Sequence, residues 1–229
     1  NQTKKVKHHL YGIITVKKHF SAGEWLKKVK IKINTCVKKK KIPIIVGGTG
    51  LYFNTITKGI SKIPDIDLKT RKKVRNLYKK LGIKKFYNVL IKLDPKVKGR
   101  ILPTDSHRVQ RAYELKLKTK KSLYDWFEKT KSDFLEFDIR KIFIDIPRDI
   151  LLNKISMRTE QMFKKKCINE VKKFNNLKVN KSFSANKLIG VQEINDYLKG
   201  LTSMEQCKDL INIKTRQYAK RQNTWARGH

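Results

Sequence analysis

The chain has 229 residues, 39% hydrophobic and 33% charged, with a formal net charge of +37. That length suits one domain with a real core and room for an insertion. No apolar run approaches the roughly 18 residues a membrane span needs, and the N-terminus lacks a signal-peptide apolar stretch. The scattered cysteines Cys36, Cys167 and Cys207 argue for reduced thiols in a cytosolic protein and against disulfides or zinc.

In chain order, residues 21–37 read as a helix capped by Ser21, with Glu24 three residues on and Trp25, Leu26, Val29 and Ile33 at helical spacing. A basic run, 38–41, leads out of it. Ile42-Pro43-Ile44-Ile45-Val46 reads as a buried parallel strand that ends in Gly47-Gly48-Thr49-Gly50, and residues 51–58 as the helix that follows. After a loop at 60–67, helices are predicted over 68–81 and 83–91, separated by Gly82. Another helix starts near 103, capped by Thr104 or Asp105, and runs to 118. Residues 141–146, Lys-Ile-Phe-Ile-Asp-Ile, read as a second strand stopped by Pro147. A long helix over 148–173, a polar loop at 175–185 and helices over 191–198 and 203–225 complete the chain. The expected fold is α/β: a parallel-sheet core formed by 1–61 and 100–229, with a helical insertion at 62–99. Two strands are too few for a complete sheet, so the remainder is expected upstream of residue 1.

Of the 56 basic residues, 45 are Lys and 11 are Arg. Abundant Lys alongside Ile and Asn fits compositional drift as well as it fits a polyanion-binding surface, so placement of the Arg residues carries more information. Three segments stand out. Glycines at the 47–50 turn allow close approach of an anion, with Thr49 offering a hydroxyl; a tight turn with Gly for sterics alone is the other reading. No Lys follows as a Walker A loop requires. Arg108 and Arg111 share a helix face near its start and suit phosphate, or else form an exposed face with Glu114 as ion-pair partner. Arg216, Lys220, Arg221 and Arg227, interleaved with Gln217, Tyr218, Gln222 and Trp225, suit RNA, or else form a solvated basic helix.

Together these segments resemble the tRNA dimethylallyltransferase family. The matching residues are His8-His9-Leu10, Ser21-Ala22, Val46-Gly47-Gly48-Thr49-Gly50-Leu51-Tyr52, Arg108 with Arg111-Ala112-Tyr113-Glu114, Ile189-Gly190, and Thr215-Arg216-Gln217-Tyr218-Ala219-Lys220-Arg221-Gln222 with Thr224-Trp225. They occur in the family's order and at about its spacing. Departures are Leu102-Pro103-Thr104 where His-Pro-Asn is usual, Val191 where Tyr is frequent, Gln192 where Lys or Arg is usual, and Ala226 in place of a bulkier apolar residue.

The resemblance implies a P-loop NTPase-like, nucleotide-binding and ATP-binding core. It also implies transfer of a dimethylallyl group from its diphosphate to the exocyclic amine of the adenosine 3′ of the anticodon. Mg²⁺ is the implied cofactor, the tRNA anticodon stem-loop the implied partner, and a cytoplasmic monomer the implied state, with no protein-bound metal among these residues. It makes Thr49 catalytic, at the bridging oxygen, and gives Gly47, Gly48 and Thr49 to the diphosphate. It gives Arg71, His107, Arg108, Arg111, Lys187, Gln192, Lys220, Arg221, Gln222, Trp225 and Arg227 to tRNA. The family's P-loop and its general base are expected before residue 1, so these 229 residues alone are expected to be inactive. A non-catalytic RNA-binding module and a small-molecule P-loop kinase relative are the alternatives.

Overall fold

A computed structural model describes residues 6–18, 20–181 and 183–228. The chain divides into two compact units, Asn1–Phe53 with Ile139–His229, and Asn54–Asp138. The second unit is wider than the insertion anticipated at 62–99. Helix α2 (Gly50–Thr57) leads from the first unit into the second.

In the first unit, α1 (Ala22–Lys38) begins as its sequence demands. The Ser21 hydroxyl accepts from Glu24 N–H at 3.1 Å, and the Glu24 carboxylate accepts from Ser21 N–H at 2.8 Å. These bonds satisfy two of the helix's orphan donors. Leu26, Val29 and Ile33 are buried, on the face the spacing marks out. The predicted 148–173 helix is two helices, α6 (Arg148–Lys164) and α7 (Cys167–Asn176). They are broken at Lys166, whose φ of 68° is left-handed. With α8 (Val191–Leu198) and α9 (Met204–Arg227) they enclose Val171, Ile194, Cys207 and Ile211. A buried Thr159 hydroxyl donates to the Asn212 side-chain oxygen at 2.6 Å, tying α6 to α9.

Buried Glu193 caps α8 by accepting from Gly190 N–H at 2.7 Å, and pairs with Lys214 of α9. Burial alone would raise its pKa, but the Lys214 bond and the backbone N–H groups more than offset that and hold it below the usual carboxylate value. A depressed folded pKa gives stability that is present above the unfolded pKa and lost as pH falls through the folded one. Glu193→Gln should therefore cost about 1 kcal/mol at pH 7 and flatten the pH dependence of the melting temperature below about pH 4.5. An unchanged acid limb would remove Glu193 from that role.

The second unit is built on α3 (Leu68–Leu93), α4 (Ser106–Thr119) and α5 (Leu123–Glu128), with a 3₁₀ turn at Pro95–Val97. Val74, Phe86 and Leu90 of α3 pack with Val109, Ala112 and Leu115 of α4 and Leu123 of α5 in one core. This shared core is why the compact unit runs well past residue 99. Asp67 caps α3, accepting from Thr70 N–H at 2.7 Å and from Lys118 at 3.2 Å. Asp105, not Thr104, caps α4 by accepting from Arg108 N–H at 3.1 Å. Gly82 (φ 71°, ψ 175°) divides the span Leu68–Leu93 into two helices at the break the sequence predicts, with a backbone angle that only glycine adopts freely. The short α5 escaped sequence reading, though Ser122 and Asp125 form its capping box.

The expected parallel-sheet core is not there. Among the described residues there is no strand. Residues 42–46 and 141–146 form neither helix nor strand, and most of the side chains expected in a core are exposed, Ile45 and Ile146 being half-buried. Ile42, Ile44 and Val46 are 89%, 81% and 87% exposed, and Ile142 and Ile144 are 88% and 78% exposed. Apolar composition favours an extended chain, but a strand exists only when a neighbour pairs its N–H and C=O groups. No helix of the described residues is long and apolar enough to cross a membrane.

Candidate functional site

The Gly47–Gly50 turn meets one face of α9. Tyr218, Gln222 and Trp225 are four and three residues apart, which puts all three on one side of that helix. The Thr49 and Tyr218 hydroxyls are 3.3 Å apart. A Cβ on Gly48 would overlap the Gln222 amide, and a Cβ on Gly50 would fall inside the Trp225 indole. Neither glycine has a positive φ. Close approach of α9, not backbone conformation, is therefore what favours glycine at 48 and 50, most strictly at 50, where the neighbour is a stacked ring. Phe53 stacks on Trp225 with ring centroids 6.0 Å apart, and Tyr52 packs on Trp25 of α1 at 4.5 Å. The turn is thus held by aromatic contacts on both sides, leaving Thr49 at the mouth of α2.

The C-terminal part of α9 also carries exposed basic side chains. Lys220 and Arg221 are exposed, with the Arg221 guanidinium 5.7 Å from the centre of the Tyr218 ring. Arg227 pairs with Asp145 at 3.0 Å. Lys187, closing a 3₁₀ turn (Ser184–Lys187), and Gln192, which donates to Asp196 at 2.8 Å, are exposed ahead of α9.

In the second unit, α3 and α4 form a cleft of about 360 Å³ lined by Arg71, Arg75, His107, Gln110, Arg111 and Glu114. Glu114 is 6% exposed and lies 3.7 Å from Arg111. The buried Nε of Arg71 has no hydrogen-bond partner among the described residues. Three guanidinium groups against one carboxylate leave a net positive concavity, suited to an anion that can accept from Arg71. Arg108 lies outside this lining and pairs with Asp105 at 3.3 Å.

The IPP transferase family model matches residues 1–229. The chain belongs to the IPP transferase family. Among its relatives is the tRNA dimethylallyltransferase of Pelagibacter ubique (strain HTCC1062), 51% identical over 226 residues that cover 99% of this chain and 72% of the relative. The tRNA dimethylallyltransferase of a Wolbachia from Drosophila simulans (strain wRi) is 36% identical, covering 96% and 75%. A solved tRNA isopentenylpyrophosphate transferase from Bacillus halodurans superposes with a TM-score of 0.65 at 29% identity, covering all of this chain and 71% of that one.

For an IPP transferase, the structure brings Gly47, Gly48, Thr49, Gln222 and Trp225 together in one unit and Arg71, His107 and Arg111 together in the other. Sequence reading missed Arg75 and Gln110 of the cleft, and Tyr218 as the neighbour of Thr49. The signal was present: Arg71 and Arg75 are four apart, as are His107 and Arg111, and Tyr218 and Gln222. The described residues hold no group of three His, Cys, Asp or Glu side chains able to bind a metal.

Proposed function

We propose that this chain is a tRNA dimethylallyltransferase, acting in the cytoplasm as a monomer on the adenosine 3′ of the anticodon. The observation that carries this reading is the 51% identity to the Pelagibacter ubique enzyme across 99% of the chain. The junction of the Thr49 turn with α9 supports it, because two separated family segments pack on each other there.

In this reading the bond from C1 of the dimethylallyl group to the bridging oxygen breaks, and its electron pair leaves with the diphosphate. The exocyclic nitrogen of adenine supplies the pair for the new C–N bond, and a base takes one amine proton. Thr49 donates a hydrogen bond to the bridging oxygen, which stabilises charge only as it develops. Lys220 and Arg221 of α9 and the cleft arginines meet RNA phosphates, while His107 and Gln110 offer ring and amide contacts to unstacked bases. An adenosine in an anticodon loop costs less to flip than one in a duplex.

Arg75→Ala should weaken tRNA binding several-fold and lower the slope of log affinity against log salt by about one. An unchanged slope in a filter-binding titration would take Arg75 out of the phosphate contacts.

The reading is tested by incubating the complete protein with dimethylallyl diphosphate carrying a radiolabelled prenyl group and a tRNA transcript. Label should appear in RNA. Tight tRNA binding with no transfer would favour a non-catalytic RNA-binding module instead.

A further inference from the structure

We infer that Tyr218 is a positioning residue for prenyl transfer, orienting the Thr49 hydroxyl toward the leaving group. The inference rests on the reading above that Thr49 meets the diphosphate.

Thr49 Oγ1 and Tyr218 Oη lie 3.3 Å apart across 169 residues of sequence. A hydroxyl has one proton and two acceptor sites, so its usefulness depends on where that proton points. A threonine hydroxyl left alone can spend its proton on a nearby carbonyl or on water. A phenol is much the more acidic of the two, so across this pair Tyr218 donates and Thr49 accepts. The Thr49 proton is then free for a third group, and a donor in such a chain is polarised by the bond it accepts, strengthening by perhaps a tenth to a third, on the order of 10–30% per bond.

The surroundings fix this geometry. Tyr218 is one turn before Gln222 on α9, and Gln222 and Trp225 lie against Gly48 and Gly50, which hold the helix to the turn on either side of Thr49. The Arg221 guanidinium 5.7 Å from the Tyr218 ring centre favours one ring orientation. Tyr218 is 39% exposed, so its ring is not a core element whose loss of one oxygen would collapse the helix. The hydroxyl is what the site uses.

A double-mutant cycle on the complete protein tests this, reading kcat, KM for tRNA and melting temperature. Tyr218→Phe should lower kcat about 3- to 10-fold, the worth of one hydrogen bond, with KM for tRNA and melting temperature close to wild type. In a Thr49→Ala background, already slowed about 100-fold, the same change should add less than about twofold. In a Thr49→Ser background, which keeps the hydroxyl, the full Tyr218→Phe loss should return. An equal loss in the Thr49→Ala background, or no loss in the wild type, overturns the inference. If Thr49→Ala alone leaves kcat unchanged, it is the role of Thr49 itself that fails, a result visible without any change at Tyr218.

Discussion

Thr49→Ala should lower kcat about 100-fold while leaving tRNA affinity within about twofold of wild type. The asymmetry follows from what the hydroxyl touches. Its observed neighbour is the Tyr218 hydroxyl, and its proposed target is an oxygen that gains charge only in the transition state. A contact that strengthens only as charge develops changes turnover, not ground-state binding. Thr49→Ser should recover much of the loss, since the hydroxyl and not the methyl does the work. Single-turnover rates alongside equilibrium binding to an anticodon stem-loop separate the two quantities. Equal losses in both would make Thr49 a structural residue.

Gly50→Val should destabilise the protein by about 3 kcal/mol, at the upper end for overpacking. For a chain of this size that lowers the melting temperature by roughly 6–12 °C. Two effects compete here. Replacing a helical glycine gains up to about 1 kcal/mol from reduced freedom of the unfolded chain. Against it stands the Trp225 indole, which occupies the space of any Cβ at residue 50 and is itself stacked on Phe53. A stacked ring cannot swing aside as a long amide can, so the clash wins. Gly48→Ala is the contrasting case, because its neighbour is the mobile end of Gln222. It should cost under about 1 kcal/mol, within reach of a rotamer change. A melting curve for Gly50→Val that matches wild type would mean α9 does not press on the turn.

These two cases also show what could be read from residues alone. The Ser21–Glu24 capping box and the Leu26, Val29 and Ile33 stripe fixed α1 because both signals are local, within one or two helical turns. Gly82 was legible as the break between two helices for the same reason. The glycine turn could be seen, but not why glycine is needed there. The neighbours that crowd a side chain there are Gln222 and Trp225, more than 170 residues away in sequence.

The strand prediction failed on the same ground. Ile42–Val46 and Lys141–Ile146 have the composition of buried strands, but composition does not supply a hydrogen-bonding neighbour, and Ile42, Ile44, Ile142 and Ile144 are exposed. The cleft arginines fall between these extremes. Arg111 was singled out by its helical spacing and Arg71 and His107 by the family resemblance, while Arg75 and Gln110 join them only through the packing of α3 and α4 on a common core. Helical spacing could have nominated both, yet on so lysine-rich a surface a basic residue at a favourable spacing is not distinctive.

The chemistry assigned to this IPP transferase family member is tested most directly by locating the product. After incubation with dimethylallyl diphosphate, the tRNA is digested to nucleosides and fragments and the modified residue is mapped by mass. The account predicts one added C₅H₈ unit on the exocyclic amine of the adenosine 3′ of the anticodon, and none when that adenosine is replaced by guanosine. Unmodified tRNA, or a prenyl group on any other nucleotide, would contradict it.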